Sequence, residues 1–236
     1  MAEQVGLARY FNLEWLDAVA DCKMEDNTKE EAHAYLDEII GQRISSKDNI
    51  RKTRTIMLNL WYNNDPWFVD ECTNICKGIF RQERLGLHWA LIMVYYSVFF
   101  DLCSIIGNSF EYKDEIQLAQ IKAKIFEKWG ARNTLEHSLS KNFQTLKDMD
   151  VLEPGEKSGS YKMIKHKLDN PKIVCMLVAA ILKCSDNEYL TWEQIIHHPA
   201  LFTFEISGVT QADMPTCERL VLERMGDEVV IRLKDK

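Results

Sequence analysis

The sequence predicts a mainly α protein: an N-terminal helical bundle, a winged helix-turn-helix, and a small C-terminal α/β extension. Three observations carry that prediction. Apolar residues recur at helical spacing through most of the 236 residues. Only 10 Gly and 5 Pro are present, too few for an all-β chain with many turns. A strand–loop–strand pattern at residues 151–164 directly follows one long amphipathic helix.

Residues 8–21 place Tyr10, Phe11, Leu13, Trp15, Leu16 and Val19 on a helical spacing. Asn27 or Thr28 caps the next helix, with Glu30 and Glu31 in its first turn, where the helix dipole favours acid. That helix runs to about Ile40 and stops at Gly41. Ser45 or Ser46 caps a third, whose Ile50, Met57, Leu60 and Trp61 form the apolar stripe. Asp65-Pro66 opens a helix to about Phe80, and residues 84–107 make one or two more, closed by Gly107-Asn108. Residues 113–129 read as one long helix burying Ile116, Leu118, Ile121, Ile125, Phe126 and Trp129, ended by Gly130.

Asn133 or Thr134 caps the amphipathic helix that follows. Pro171 opens KIVCMLVAAILK, and Thr191 begins a short helix ended by Pro199. In the tail, Gly226-Asp227 separates two aliphatic runs, which fits a hairpin or a helix followed by one strand. The expected divisions are 1–110 for the bundle, 111–170 for the winged unit and 171–236 for the extension. No internal repeat and no low-complexity segment is visible.

LHWALIMVYYSVFFDLCSII, residues 87–106, is about long enough to cross a bilayer. It carries His88 and Asp101, and a carboxylate deep in lipid costs roughly 2.5–3.5 kcal/mol. A buried helix, broken near Ser97, is the expectation, with no membrane partner. The N-terminus lacks a basic start followed by an apolar run, so no export signal is read there. The seven cysteines are odd in number and mostly sit in apolar helical patterns, which points to reduced, buried thiols in a cytoplasm. Cys72 and Cys76 would share a helix face, but no second pair stands at zinc spacing, and no metal is expected.

The net charge is −7, yet charge is unevenly spread. Residues 43–54 hold five Lys/Arg against one acid, and residues 122–167 hold ten against six. The first 42 residues alone have ten acids and three bases. Phosphate responds to local potential, so two basic islands in an acidic chain matter more than the total.

The second island contains the amphipathic helix. From residue 134, Leu135, Leu139, Phe143 and Leu146 fall on one face, with Met149 close by. The opposite side carries His137, Lys141, Gln144 and Asp148, with Ser140 and Lys147 flanking; Arg132 stands just before the helix. His, Lys and Gln are donors that reach phosphate or base edges. Lys157 in the Gly-containing turn, and Lys162 and Lys165 beyond it, make a basic wing. Ser138-Leu-Ser-Lys141, Ser185-Asp-Asn187 and Lys157-Ser-Gly159 look like penicillin-binding motifs, but their order is wrong. No Gly-rich phosphate loop, zinc-protease helix or nucleophile elbow occurs. No catalytic residue and no cofactor is therefore expected. His197-His198 reads as a helix end.

An acidic helical start, the basic SKDNIRKTRTIMLNLW helix, the apolar LGLHWALIMVYYSVFFDLCSIIG stretch and TLEHSLSKNFQTLKDMDVLE before a wing follow one another. This order resembles the BrxA family, small accessory proteins of bacterial BREX phage-defence systems. The resemblance covers most of the chain and implies a non-enzymatic, double-stranded-DNA-binding protein working beside larger methylation and effector components. It places DNA contacts at Lys47, Arg51 and Arg54, and at His137, Lys141, Gln144 and Lys162. The acidic excess departs from a simple DNA binder and leaves room for a protein partner.

The expected function is thus a cytoplasmic, non-enzymatic accessory protein that grips duplex phosphates with little sequence specificity. One alternative is a protein–protein adaptor that uses the winged unit and an acidic face without touching DNA. Another is an enzyme built from Asp101, His88 and His197, which requires a deep pocket holding at least two of them. Both islands can grip one duplex only if the fold brings them to one face.

Overall fold

The computed structural model describes residues 8–234. The start of the chain, where no export signal is expected, lies partly outside the described residues. Four helices open the fold: α1 (Leu13–Met24), α2 (Lys29–Gly41), α3 (Lys47–Tyr62) and α4 (Pro66–Cys76). α1 begins five residues later than the periodicity predicts, because Asn12 takes the cap and accepts from the Trp15 N–H at 2.9 Å. Thr28 and Glu31 close a reciprocal capping box on α2, the Glu31 carboxylate taking the Thr28 N–H at 2.7 Å. Ser46 caps α3 and Asp65 caps α4. α4 stops at Cys76 rather than near Phe80, since the Gly78 N–H reaches the Ile75 carbonyl and tightens the last turn.

The apolar stretch is two helices, α5 (Leu85–Tyr95) and α6 (Ser97–Phe110), bent by 118° at Tyr96. Among the described residues no single helix is long and apolar enough to cross a membrane. α5 is buried on nearly every side, so its apolar character serves the interior of the protein.

The helix expected over 113–129 is shorter. Its first residues form a strand, β1 (Glu115–Gln117), and α7 (Leu118–Trp129) follows without a loop. Ile116 points inward between half-buried Glu115 and Gln117, a strand alternation. The Leu118 N–H donates to the Gly159 carbonyl at 3.0 Å, which draws the start of α7 into the sheet. α8 (Asn133–Asp148), β2 (Leu152–Pro154) and β3 (Ser160–Met163) complete this part. β3 lies centrally and pairs antiparallel with both others, Ile116 opposite Tyr161 and Glu153 opposite Lys162.

β4 (His166–Leu168) then pairs in parallel with β6 (Phe204–Ile206), with α9 (Pro171–Cys184) in the connection. β5 (Tyr189–Thr191) runs straight into α10 (Trp192–Ile196), and β7 (Leu220–Met225) turns through Gly226 into β8 (Glu228–Leu233). The tail is therefore a hairpin, and β8 is flanked by β5 and β7.

A repeat absent from the residue pattern emerges here in the topology. A helix, a short strand that runs directly into a second helix, and a final hairpin occur twice, as α6–β1–α7–β2–β3 and as α9–β5–α10–β7–β8. Both sheets take the order first, third, second. The copies differ in the middle. α8 fills that place in the first, whereas the second has β6 between two 3-10 turns, over residues 199–201 and 211–216.

One hydrophobic cluster runs from Phe11 to Leu233 through all of these elements. α6 meets the 3-10 turn at Pro199–Leu201 through Gly107, where an added Cβ would lie 2.0 Å from the Pro199 carbonyl oxygen. Backbone on the far side cannot step away cheaply. Gly107→Ala is expected to lower unfolding free energy by about 3 kcal/mol, read from the urea midpoint. A loss under about 0.5 kcal/mol would mean that this contact is soft.

Candidate nucleic-acid interface

α8 is held by its apolar face. Leu135, Leu139, Phe143 and Leu146 are buried as their spacing predicts. Asn133 and Thr134 do not cap it. Arg132 occupies the cap position in extended conformation and supplies no acceptor, because left-handed Gly130 (φ 78°) starts the helix one residue early. The first turn of a sixteen-residue helix thus keeps its backbone donors without a side-chain acceptor among the described residues.

Three polar residues of α8 are also buried, and nothing in the residue spacing marks them. Asn142 Nδ2 donates to the Ser138 carbonyl at 2.9 Å and to Ser138 Oγ at 3.1 Å. Thr145 Oγ1 accepts from the Phe11 N–H at 3.2 Å. The chain around Tyr10 and Phe11 lies along the C-terminal half of α8 and narrows the outward face. Lys141 is drawn over the Tyr10 ring, 5.5 Å from its centroid. Gln144 donates to Asp148 at 2.7 Å. What remains fully exposed is the N-terminal half: Arg132, Asn133, Thr134, Glu136, His137 and Ser140.

The turn between β2 and β3 is built on one carboxylate. Glu115 accepts from Ser160 Oγ at 2.9 Å and from the Glu156 N–H at 3.2 Å, and it pairs with Lys162 at 3.2 Å. The Ser160 hydroxyl first, then the Glu156 amide and Lys162, hold the Glu115 carboxyl below its ordinary range. Gly155 must be glycine, since a Cβ there would stand 2.3 Å from Ser160 Oγ. The tip that results, Lys157-Ser158-Gly159, is exposed, and Lys157 Nζ has no partner among the described residues. Lys162 is already answered by Glu115 and by Glu156 at 3.7 Å, and Lys165 donates to the Phe202 carbonyl at 2.6 Å. The structure corrects the expectation that both point free charge at a ligand.

The first island needs the same correction. Arg54 is nearly buried and bonded to Asp37, and Arg51 and Lys52 share Asp48 at 2.8 and 2.5 Å. Hydrogen bonds from Lys52 and then Arg51 hold Asp48 at about 2. Lys47 alone of the three predicted α3 contacts is exposed with no side-chain partner among the described residues. The two islands do meet at their near ends: Arg43, Ser45 and Ser46 line one cleft with Lys141.

His88, Asp101 and His197 do not come together. His88 is fully buried, 3.0 Å from Asp17 and edge-on to Trp61. Asp101 pairs with Lys128 at 2.8 Å and takes the Trp129 indole N–H at 2.7 Å. His197 is exposed beside Glu193. His198 stacks on Phe100, and burial pushes its imidazole down to about 4. Among the described residues no three His, Cys, Asp or Glu side chains cluster to hold a metal, and no disulfide joins the cysteines.

The Glu115 anchor carries a pH signature. Its folded-state pKa is depressed, so the anchoring is complete above the ordinary carboxylate range and is lost as pH falls through the lower, folded value. The Glu156 amide resonance is expected to titrate with a midpoint below 4.5, the ordinary glutamate value. Glu115→Gln should abolish that titration and speed amide exchange across 155–160. A midpoint at or above 4.5 would show that the carboxylate does not organise the turn.

No model of a known protein family matches the chain, and no curated protein or solved structure matches it.

Proposed function

We propose that this protein is a non-enzymatic binder of double-stranded DNA that grips mainly the phosphate backbone through a winged helix-turn-helix. The observation that carries the reading is the order α6, β1, α7, α8, β2, β3 with β3 central in the sheet. A helix-turn-helix followed by a hairpin has this arrangement, and both the start of α8 and the hairpin turn are exposed. The exposed start of α8 offers backbone donors, His137, and Arg132, whose guanidinium is held only by a longer, 3.3 Å bond to the Trp129 carbonyl, and the turn offers Lys157. Backbone amides at a helix start are ready phosphate ligands. Few long donors remain for base edges once Lys141 and Gln144 are partly engaged, which favours weak sequence preference.

The resemblance of the element order to the BrxA family supplies a context for the same reading: an accessory role in a phage-defence assembly, with other components as protein partners. The acid-rich first 42 residues leave surface for such a partner.

The test is fluorescence anisotropy of a labelled 30-base-pair duplex across a salt series. Affinity is expected to fall steeply with salt, and Arg132→Gln with Lys157→Gln to reduce the log–log slope by about 2, one per lost phosphate contact. Lys162→Gln and Lys165→Gln should change it much less, because each is already engaged. Absence of binding at low salt would turn the reading to the adaptor.

A further inference from the structure

We infer that the cleft between the start of α3 and the middle of α8 is a phosphate-binding site. It encloses about 320 Å³ and is lined by Arg9, Tyr10, Arg43, Ser46, Thr53 and Lys141, among others. Three cations therefore reach it from three separate stretches of chain. Among the described residues only Arg43 of the three has a carboxylate partner, Glu14 at 2.8 Å, and that pair lies on the surface, where exchange for another anion costs little. Lys141 rests on the Tyr10 ring, and one Arg9 guanidinium nitrogen, Nε, is buried without an acceptor among the described residues.

The start of α3 points the same way. Ser46, Asn49 and Thr53 lie one above another on the helix face that lines the cleft, at the positive end of a sixteen-residue dipole. A helix start alone does not make a site; Thr53 supplies the independent sign. Its side chain is completely buried, it lines the cleft, and its Oγ1 has no hydrogen-bond partner among the described residues.

A helical threonine ordinarily satisfies itself by donating to the carbonyl four residues back. Thr55 does so to Arg51 at 2.9 Å and Thr73 to Val69 at 2.7 Å. Thr53 does not. A buried hydroxyl left without a partner costs about 1–3 kcal/mol, and an acceptor-only ligand with several oxygens would remove that cost. A phosphate group has that chemistry, and charge-assisted bonds from Arg9, Arg43 and Lys141 would add to it. The phosphate can belong to a free phosphorylated compound or to a polynucleotide strand leaving α8, since Lys141 belongs to both surfaces. The site stands on its own geometry and does not require the DNA reading.

The test titrates inorganic phosphate into the full chain at constant ionic strength against chloride, following melting temperature and the Asn49 amide resonance. Phosphate should raise the melting temperature and shift that amide. Thr53→Val keeps the side-chain shape, and it should melt no lower than wild type without phosphate. Its apparent phosphate affinity should be roughly tenfold weaker, the scale of one bond to a charged group. Lys141→Gln should behave likewise toward phosphate. Equal melting temperatures in phosphate and chloride would overturn the site, as would an undiminished phosphate response in both variants.

A duplex titration at saturating phosphate then separates the sources. Mutual exclusion assigns the cleft to a polynucleotide phosphate, and simultaneous binding assigns it to a free phosphorylated compound. Arg132→Gln with Lys157→Gln leaves the cleft intact, so a lost duplex affinity with a kept phosphate response would separate failure of the DNA reading from failure of the site.

Discussion

Trp89 is the contact on which the remaining architecture depends. Its indole N–H donates to the Ala200 carbonyl at 3.0 Å, and its ring meets Phe99, Phe202 and Phe204 edge-on. Those partners come from α6, from the segment after Pro199 and from β6. One fully buried side chain on α5 therefore binds three distant stretches. Edge-on aromatic pairs add about 0.5–1.5 kcal/mol each beyond area burial, and the indole bond fixes their orientation. The Gly107–Pro199 approach is close because this cluster holds α6 against the backbone that it touches.

The placement of α8 follows from that frame. α6 is fixed by the Trp89 cluster, α7 packs on α6, and β1 leads into α7 without slack. A polar contact then sets the rotation of α8. The buried Thr145–Phe11 bond joins α8 to the chain before α1, so a turn of the helix about its axis would break it, whereas the Ser138–Asn142 bond lies within the helix. The exposed N-terminal half is the result of this packing. A second buried polar set, Asp17 with Arg84 and His88, fixes α1 against α5. It stands apart from either candidate surface, and loss of one partner there costs about 3–5 kcal/mol.

The helices were legible in the sequence wherever a 3.6-residue stripe met a cap, as in α2, α3 and α9, and in α8 from the stripe alone. The bend at Tyr96 was legible from two tyrosines and a serine inside an apolar run. β1 was not, because three residues with one inward isoleucine are too short to break a helical pattern that continues behind them. The repeat was invisible because it lies in strand order and not in residue identity. For the candidate interface, the expected helix and the strand–loop–strand after it are both present. The sequence overstated the free charge: Arg54, Lys162 and Lys165 meet Asp37, Glu115 and the Phe202 carbonyl from elsewhere in the chain. Nor could it show that Tyr10 covers Lys141, since the two are far apart in sequence and touch only through the tertiary fold.

The central position of β3 and β8 bears on how the chain is made. Each is the last of its three strands to leave the ribosome, and each is the only strand bonded to both others. Neither sheet can exist in part with β1 beside β2 or β5 beside β7. Until its closing strand arrives, the first unit holds only helices and unpaired strands, and the second adds only β6, which pairs outside it with β4. β1 and β5 are three residues long with one buried side chain apiece, which leaves little sticky edge to expose while they wait. Vectorial synthesis therefore delivers the protein as two delayed closures, each completed by the strand that ends its unit.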